Sequence, residues 1–144
     1  METVGFLTFE TDTAVRTSHE QYRPIARELV REVSLSLGLA GDAYRDAVTD
    51  EVIQTAHDAY FASLFQVMIG DSAAFVEWKE RNAPNYDVTL EGSEHVDRRA
   101  WHPAPFANSV AAVTFNEQAD AAVSTVRRQA YGRLYRDILY EHSA

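Results

Sequence analysis

The stretch TDEVIQTAHDAYFASLFQVMI, residues 49–69, has the pattern of one helix whose apolar side chains cover more than half of its circumference. A helix that packs on one side only needs a narrower apolar stripe than this. We therefore predict a central buried helix over residues 49–69, with partners on two or three sides. Its polar exception is His57, which lies on the same side of the helix as Ile53, Leu64 and Met68.

Helical patterns also flank this stretch on both sides. We predict further helices over residues 12–22, 24–37, 41–48, 72–81 and 116–140. The second of these is amphipathic, with apolar side chains at a spacing of four residues: Ile25, Leu29, Val33 and Leu37. Gly132 lies inside the last predicted helix and costs roughly 1 kcal/mol there relative to alanine, which predicts a close packing contact at that position.

The period changes from 3.6 to 2 after residue 85, which indicates strands. Apolar and polar residues alternate over 86–91, and a second strand follows over 95–102. A three-residue loop, 92–94, sets Leu90 opposite Val96, whereas a two-residue loop would put polar groups on the apolar face. Residues 109–115 have the pattern of a third strand or of the lead-in to the last helix, and we favour the strand.

These patterns together predict an α+β fold in a single domain, residues 1–144. About five helices are expected to surround the central buried helix (49–69). A small two- or three-stranded antiparallel sheet within residues 86–115 is expected to cover one side.

Composition limits the class of protein. The chain has 144 residues, 46% of them hydrophobic, and no cysteine, which excludes disulfides, thiolate metal sites and cysteine nucleophiles. No apolar run is long enough to span a bilayer and no signal peptide is evident, so we expect a cytoplasmic protein without a membrane partner. The formal charge of −9, with twelve arginines and a single lysine, is typical of salt-adapted proteins. A GC-rich genome that replaces lysine with arginine codons is the alternative explanation.

Histidines are the first candidates for chemistry. The neighbours of His57 at i±3 and i±4 include no second metal ligand, so a hydrogen-bonded core histidine is favoured over a catalytic one. His95 and His102 lie seven residues apart and, on one strand, would be roughly 23 Å apart and point to opposite faces. His102 follows Trp101 in a rigid segment, and both it and Arg98 are predicted on the inner side of the sheet. The candidate pocket or interaction residues are therefore His57, Arg98, Trp101 and His102, and whether His57 and His102 converge stays open.

A second candidate is a basic face on the last predicted helix. Arg128, Arg133 and Arg136 lie opposite its apolar stripe and are suited to phosphate or to an acidic partner. Cations in the last turns of a helix are also favoured by the helix dipole, which explains them without any ligand. Nucleic acid is a disfavoured partner because the chain as a whole is acidic.

The chain contains no phosphate-binding glycine loop, nucleophile-elbow serine or HExxH motif. We therefore assign no catalytic residue, no metal ligand and no cofactor, and we favour a non-enzymatic interaction or accessory protein, with a homodimer as one form. Four aromatic residues support an interaction surface: Trp101, Phe106, Tyr131 and Tyr135. The alternative is a small-ligand-binding protein or enzyme with a pocket near His102, Trp101 and His57. Enzymatic activity is left open, with a negative answer favoured.

Three segments resemble those of one protein family. They are TAHDAYFASLF (55–65), VDRRAWHPAPF (96–106) and STVRRQAYGRLY (124–135), set in an acid-rich, lysine-poor chain. The resemblance is to a haloarchaeal family of small proteins described only as a domain of unknown function. It supports the cytoplasmic, salt-adapted interpretation and implies no activity, cofactor or catalytic residue.

Overall fold

A computed structural model describes residues 1–140. It is an α+β structure with a five-stranded mixed sheet. The helices are α1 (Asp12–Gln21), α2 (Arg23–Ser36), α3 (Gly41–Ala47), α4 (Asp50–Ser63), α5 (Ser72–Asn82), α6 (Ala119–Ala130) and α7 (Arg136–Tyr140). The strands are β1 (Glu2–Val4), β2 (Val67–Asp71), β3 (Asp87–Glu91), β4 (Arg98–Ala104) and β5 (Ser109–Phe115). A 3₁₀ turn covers Pro105–Ala107 and a π-helical segment covers Tyr131–Tyr135.

The central stretch is shorter as a helix than its pattern predicts. Helix α4 begins after the Thr49 side chain, which caps the Val52 N–H, and ends at Ser63. It lies between α2 and α6. Residues 67–71 are not helical but form strand β2, so the prediction of one helix over 49–69 is wrong for its last third. A short apolar run fits a buried strand as well as a buried helix, and pairing with two neighbouring strands decides between them.

The sheet is also larger than the predicted two or three strands. Its strand order is β1-β2-β4-β5-β3. The predicted hairpin of residues 86–91 with 95–102 does not form, because both edges of β4 are occupied by β2 and β5. Strand β3 instead pairs in parallel with the free edge of β5. Only long-range contacts determine this arrangement, since each strand pattern by itself is compatible with either partner.

Two hydrophobic clusters lie on opposite faces of the sheet. The larger one joins the sheet to α1, α4 and α6 and includes Phe61, Phe65 and Tyr135. The smaller one lies under α5 and contains Trp101 packed against Phe75. Alternate residues of β2, β4 and β5 enter different clusters, as the two-residue period of a strand requires.

The last predicted helix, 116–140, is interrupted. Between α6 and α7 the chain widens to π-helical hydrogen bonding over Tyr131–Tyr135. The close contact predicted at Gly132 is absent, because a Cβ placed there meets no heavy atom within 4 Å in the described structure. None of the helices in residues 1–140 is both long enough and apolar enough to cross a membrane.

Candidate functional site

A buried polar cluster lies where α1, α4 and α7 meet. His19 comes from the last turn of α1, His57 and Asp58 from the middle of α4, and Tyr140 from the end of α7. His19 and His57 are 5% and 2% exposed. Buried polar groups are costly unless they are hydrogen-bonded, so the partners of these side chains define the cluster.

The side chains form a hydrogen-bond chain. His57 Nε2–H donates to the backbone carbonyl of His19 at 2.6 Å, and His19 Nε2–H donates to Asp58 Oδ1 at 3.0 Å. The Tyr140 hydroxyl donates to the same Asp58 oxygen at 2.7 Å. A carbonyl and a carboxylate can only accept, so both histidines carry a proton on Nε2. This tautomer leaves Nδ1 of a neutral His57 free to accept a proton or a hydrogen bond.

The environment keeps His57 neutral and Asp58 ionised. Burial lowers the pKa of His57, and its hydrogen bond to the His19 carbonyl opposes this only in part. Burial raises the pKa of Asp58, but hydrogen bonds from His19 and Tyr140, with a contribution from Tyr131, outweigh it and lower the pKa below its ordinary value. Burial and the Asp58 carboxylate raise the pKa of Tyr140 to about 12, so this tyrosine stays protonated.

The π-helical segment supplies a further tyrosine to the cluster. Tyr131 is 5% exposed, and its hydroxyl has no hydrogen-bond partner of ordinary geometry among residues 1–140. Burial and the nearby Asp58 carboxylate raise its pKa. Single π-helical turns inside α-helices are frequent at functional sites, since they re-aim side chains. This turn carries both Tyr131 and Tyr135 into the protein interior.

One wall of the cluster borders a cavity of about 260 Å³ between α2 and α4, called here the α2–α4 cavity. Its lining residues are Arg23, Arg27, Asp50, Ile53, Gln54, His57 and Tyr140. Arg23 forms an exposed ion pair with Glu20 at 3.2 Å. Arg27 makes no ion pair within residues 1–140. The cavity thus contains two guanidinium groups, one carboxylate and a neutral imidazole.

The ring arrangement does not suit a metal ion bound by both histidines. Candidate ligand atoms of His19, His57 and Asp58 lie within 4.8 Å of one another. However, the two imidazole rings are stacked, with centroids 3.8 Å apart and planes inclined by 23°. Two such planes meet roughly 9 Å from the rings, whereas a metal lies in the ring plane at about 2 Å from the nitrogen. One ring would have to turn before both could bind the same ion.

The structure separates the four residues predicted as a pocket. His57 lines the α2–α4 cavity, and none of Arg98, Trp101 and His102 does. Trp101 and His102 point to opposite faces of β4: Trp101 packs on Phe75, while His102 stacks on Phe65. Arg98 lies over the ring of Phe115 at the sheet surface.

His102 occupies a second buried polar site and does not line the α2–α4 cavity. Nδ1–H donates to the Gln66 carbonyl at 2.7 Å, and Nε2 accepts from the Tyr135 hydroxyl at 2.5 Å. His102 is fully buried, and burial lowers its pKa to about 4. The ring is therefore neutral and both of its nitrogens are satisfied.

The predicted basic face is partly neutralised. Arg133 forms an ion pair with Glu91, and Arg136 lies over the Tyr131 ring at 5.6 Å. Arg128 contacts Thr125 on its own helix. Three of the four aromatic residues that supported an interaction surface are buried rather than exposed: Trp101, Tyr131 and Tyr135.

Sequence reasoning missed His19, Asp58, Tyr131 and Tyr140 as site residues. Helical spacing relates His57 only to the residues at i±3 and i±4 of its own helix, and none of these is a histidine or a carboxylate. His19 is 38 positions and Tyr140 is 83 positions away in the sequence. The local signal that was present is the adjacent pair His57-Asp58 on a largely apolar helix.

Comparison with known proteins gives a family but no function. The chain matches the model of a family described as "Family of unknown function (DUF5809)" over residues 6–136. No curated protein matches the chain, and no solved structure does. The match covers most of the chain, including α1, α4 and the π-helical segment. The protein therefore belongs to the family of unknown function DUF5809.

Proposed function

We propose that the protein binds a small polar anion in the α2–α4 cavity. The observation that carries the proposal is the position of Arg27, a guanidinium without an acidic partner in the described chain, beside a second arginine and a neutral buried histidine. Small-molecule sites combine a concave surface with a few fixed polar groups. Here the hydrogen-bond chain through His19 and Asp58 fixes His57.

The cavity also suggests what the anion must carry. The N–H groups of the two arginines and of the Gln54 amide are donors for negatively charged oxygens. Asp50 and the unprotonated Nδ1 of His57 are acceptors and need donors from the ligand. An anion that carries O–H or N–H groups satisfies both sets, whereas an anion without donors leaves the acceptors unpaired.

The proposal is one of binding and leaves turnover open. His57 has the protonation state of a general base, since burial keeps it neutral. No nucleophile of the serine–histidine or cysteine–histidine type accompanies it within residues 1–140. A ligand-binding protein is therefore the function that we propose, with an enzyme as its extension.

Titration with inorganic phosphate and with sulfate tests the proposal. Both are tetrahedral anions of similar size, but at neutral pH only phosphate retains O–H groups. We expect phosphate to bind at least 10-fold more tightly than sulfate, measured by calorimetry and by histidine ring signals in NMR.

Arg27→Gln should weaken phosphate binding at least 10-fold. Arg31→Gln, one turn further on α2 and outside the cavity, is the matched control. Equal weakening by both variants, or no binding at millimolar phosphate, would refute the proposal.

A second candidate function is interaction with another copy of this chain through α2. The aromatic residues that first suggested an interaction surface are largely buried, but α2 leaves an apolar stripe exposed. Ile25, Leu29 and Val33, with Leu37 at the C-terminal cap of the helix, are 43%, 41%, 56% and 73% exposed. A two-fold axis at Leu29 would set Ile25 of one copy against Val33 of the other, so the stripe is self-complementary.

Salt dependence distinguishes this homodimer from a monomer. Glu28 and Glu32 border the stripe, so like charges would meet at its edge and salt would screen them. We expect light scattering to show association that increases with salt and is lost in Leu29→Glu. A monomer at all salt concentrations would refute the dimer.

Salt adaptation of the whole chain, suggested by its charge of −9, stays a proposal. We do not propose nucleic-acid binding, since Arg133 is ion-paired and Arg136 is stacked.

A further inference from the structure

A second and larger cavity lies on the other side of α4. Its volume is about 610 Å³, and it is bounded by β1, β2, α4 and α6. Small side chains on the facing helices, among them Ala59, Ala62 and Ala119, leave the space unfilled. We call it the α4–α6 cavity. It shares no lining residue with the α2–α4 cavity.

Its walls are mainly apolar. Val4 of β1, Ile69 of β2 and Val123 of α6 line it together with the alanines. Exposed apolar surface of this kind is unfavourable in water, and a concave apolar surface is typical of a ligand site. The apolar wall predicts that the greater part of a bound ligand is hydrocarbon.

Arg127 gives the cavity a charged group. This side chain is half-buried and lines the cavity, and its Nε–H donates to the Phe65 carbonyl at 2.9 Å. Gly5 lies so close that a Cβ there would overlap the Arg127 guanidinium and the Phe65 carbonyl. The N-terminal segment therefore holds the guanidinium in place.

This guanidinium has no counter-ion among residues 1–140. No carboxylate of residues 1–140 lies within 4.0 Å of it, and burial lowers its pKa. Glu2, Asp120 and Arg128 also line the cavity. Neither carboxylate forms an ion pair with Arg127, and Asp120 precedes it by seven residues on α6, roughly 10 Å along the helix. A partly desolvated cation without an acid partner favours an anionic group from outside the chain.

We infer that the α4–α6 cavity binds a small soluble amphiphile, with a hydrocarbon chain on the alanine and valine wall and a carboxylate or phosphate at Arg127. A lipid surface is a poorer source of this chemistry. The net charge of −9 repels the anionic leaflets that would present such head groups.

Calorimetric titration with decanoate and with decanol tests the inference. We expect decanoate to bind at least 10-fold more tightly than decanol to the unmodified chain. Arg127→Gln should abolish this preference, which a purely structural role of Arg127 would leave intact. Equal affinity of the unmodified chain for both probes, or no binding of either, would overturn the inference.

A filled cavity gives an independent test. Ala59→Trp places a large side chain into the cavity from an exposed position on α4, and it should weaken decanoate binding at least 10-fold. Ala73→Trp on α5, an exposed position away from the cavity, is the control and should change nothing. Phosphate binding at the α2–α4 cavity should persist in Ala59→Trp, so the two proposals fail separately. Co-sedimentation with phosphatidylcholine–phosphatidylglycerol vesicles without decanoate binding would also contradict the inference.

Discussion

The two buried histidine sites have similar chemistry and different surroundings. Both rings are neutral, and each takes a backbone carbonyl as hydrogen-bond partner: His57 the carbonyl of His19, and His102 that of Gln66. Each site also receives a tyrosine from the π-helical segment. However, the His102 ring is enclosed by Phe65 and Tyr135, whereas His57 borders a cavity with two arginines.

This difference shows that burial and a shifted pKa do not identify a functional histidine by themselves. His102 has the stronger desolvation, and both of its nitrogens are satisfied inside the protein. His57 keeps one unprotonated nitrogen next to space that a ligand can fill. We therefore propose a structural role for His102 and a ligand-binding role for His57.

The largest expected effect is that of His102→Ala. It removes a buried ring and leaves the Tyr135 hydroxyl and the Gln66 carbonyl without partners, which should lower the free energy of unfolding by about 3–5 kcal/mol. Urea denaturation measures the change. His95→Ala, at an exposed position, is the control and should stay within about 0.5 kcal/mol. A loss below about 1 kcal/mol for His102→Ala would contradict the structural role.

Acid should destabilise the protein through the same residue. The pKa of His102 is about 4 in the folded chain and 6.5 in the unfolded one. The unfolded state therefore binds a proton first, and stability falls as the pH drops from 6.5 to 4. The expected loss is about 3 kcal/mol, and the lowered pKa of His57 adds in the same direction. Urea titrations between pH 7 and pH 4 measure it. An NMR titration of the His102 ring with a midpoint above pH 6 would disprove the assignment.

Asp58→Asn should have a moderate effect, and it should change both the stability of the protein and its phosphate binding. The His19 and Tyr140 hydrogen bonds would then meet a neutral amide instead of a carboxylate, at a cost of about 2 kcal/mol in stability. Phosphate affinity should fall as well, because Asp58 holds His19 and the His19 carbonyl in turn holds the His57 ring. Asp46→Asn, at an exposed position on α3, serves as control. Unchanged phosphate affinity in a destabilised Asp58→Asn variant would make the cluster purely structural.

The smallest effect is expected on the surface. Arg133→Gln breaks the ion pair with Glu91, in which both side chains are more than one third exposed. We expect a loss of at most about 1 kcal/mol, decreasing further at high salt. Denaturation at low and at high salt measures it. A larger, salt-independent loss would show that the ion pair supports the π-helical segment to which Arg133 belongs.

Local patterns in the sequence predicted most helices and the strand pattern of β3 and β4. The cap at Thr49, the alternation of residues 86–91 and the apolar residues of 109–115 all act over a few positions, so they are visible in the sequence. They did not predict that 67–71 joins the sheet or that β3 avoids β4. Those outcomes depend on which strand edges remain free once the other strands have paired.

The same division applies to the candidate site. The sequence by itself determined that His57 is buried and that its own helix offers it no second ligand. Only the tertiary structure decided that α1 supplies His19, that α7 supplies Tyr140, and that His102 faces a different partner. The physical reason is that hydrogen bonds between distant segments depend on helix packing and strand order. Residue spacing within one element carries no information about either.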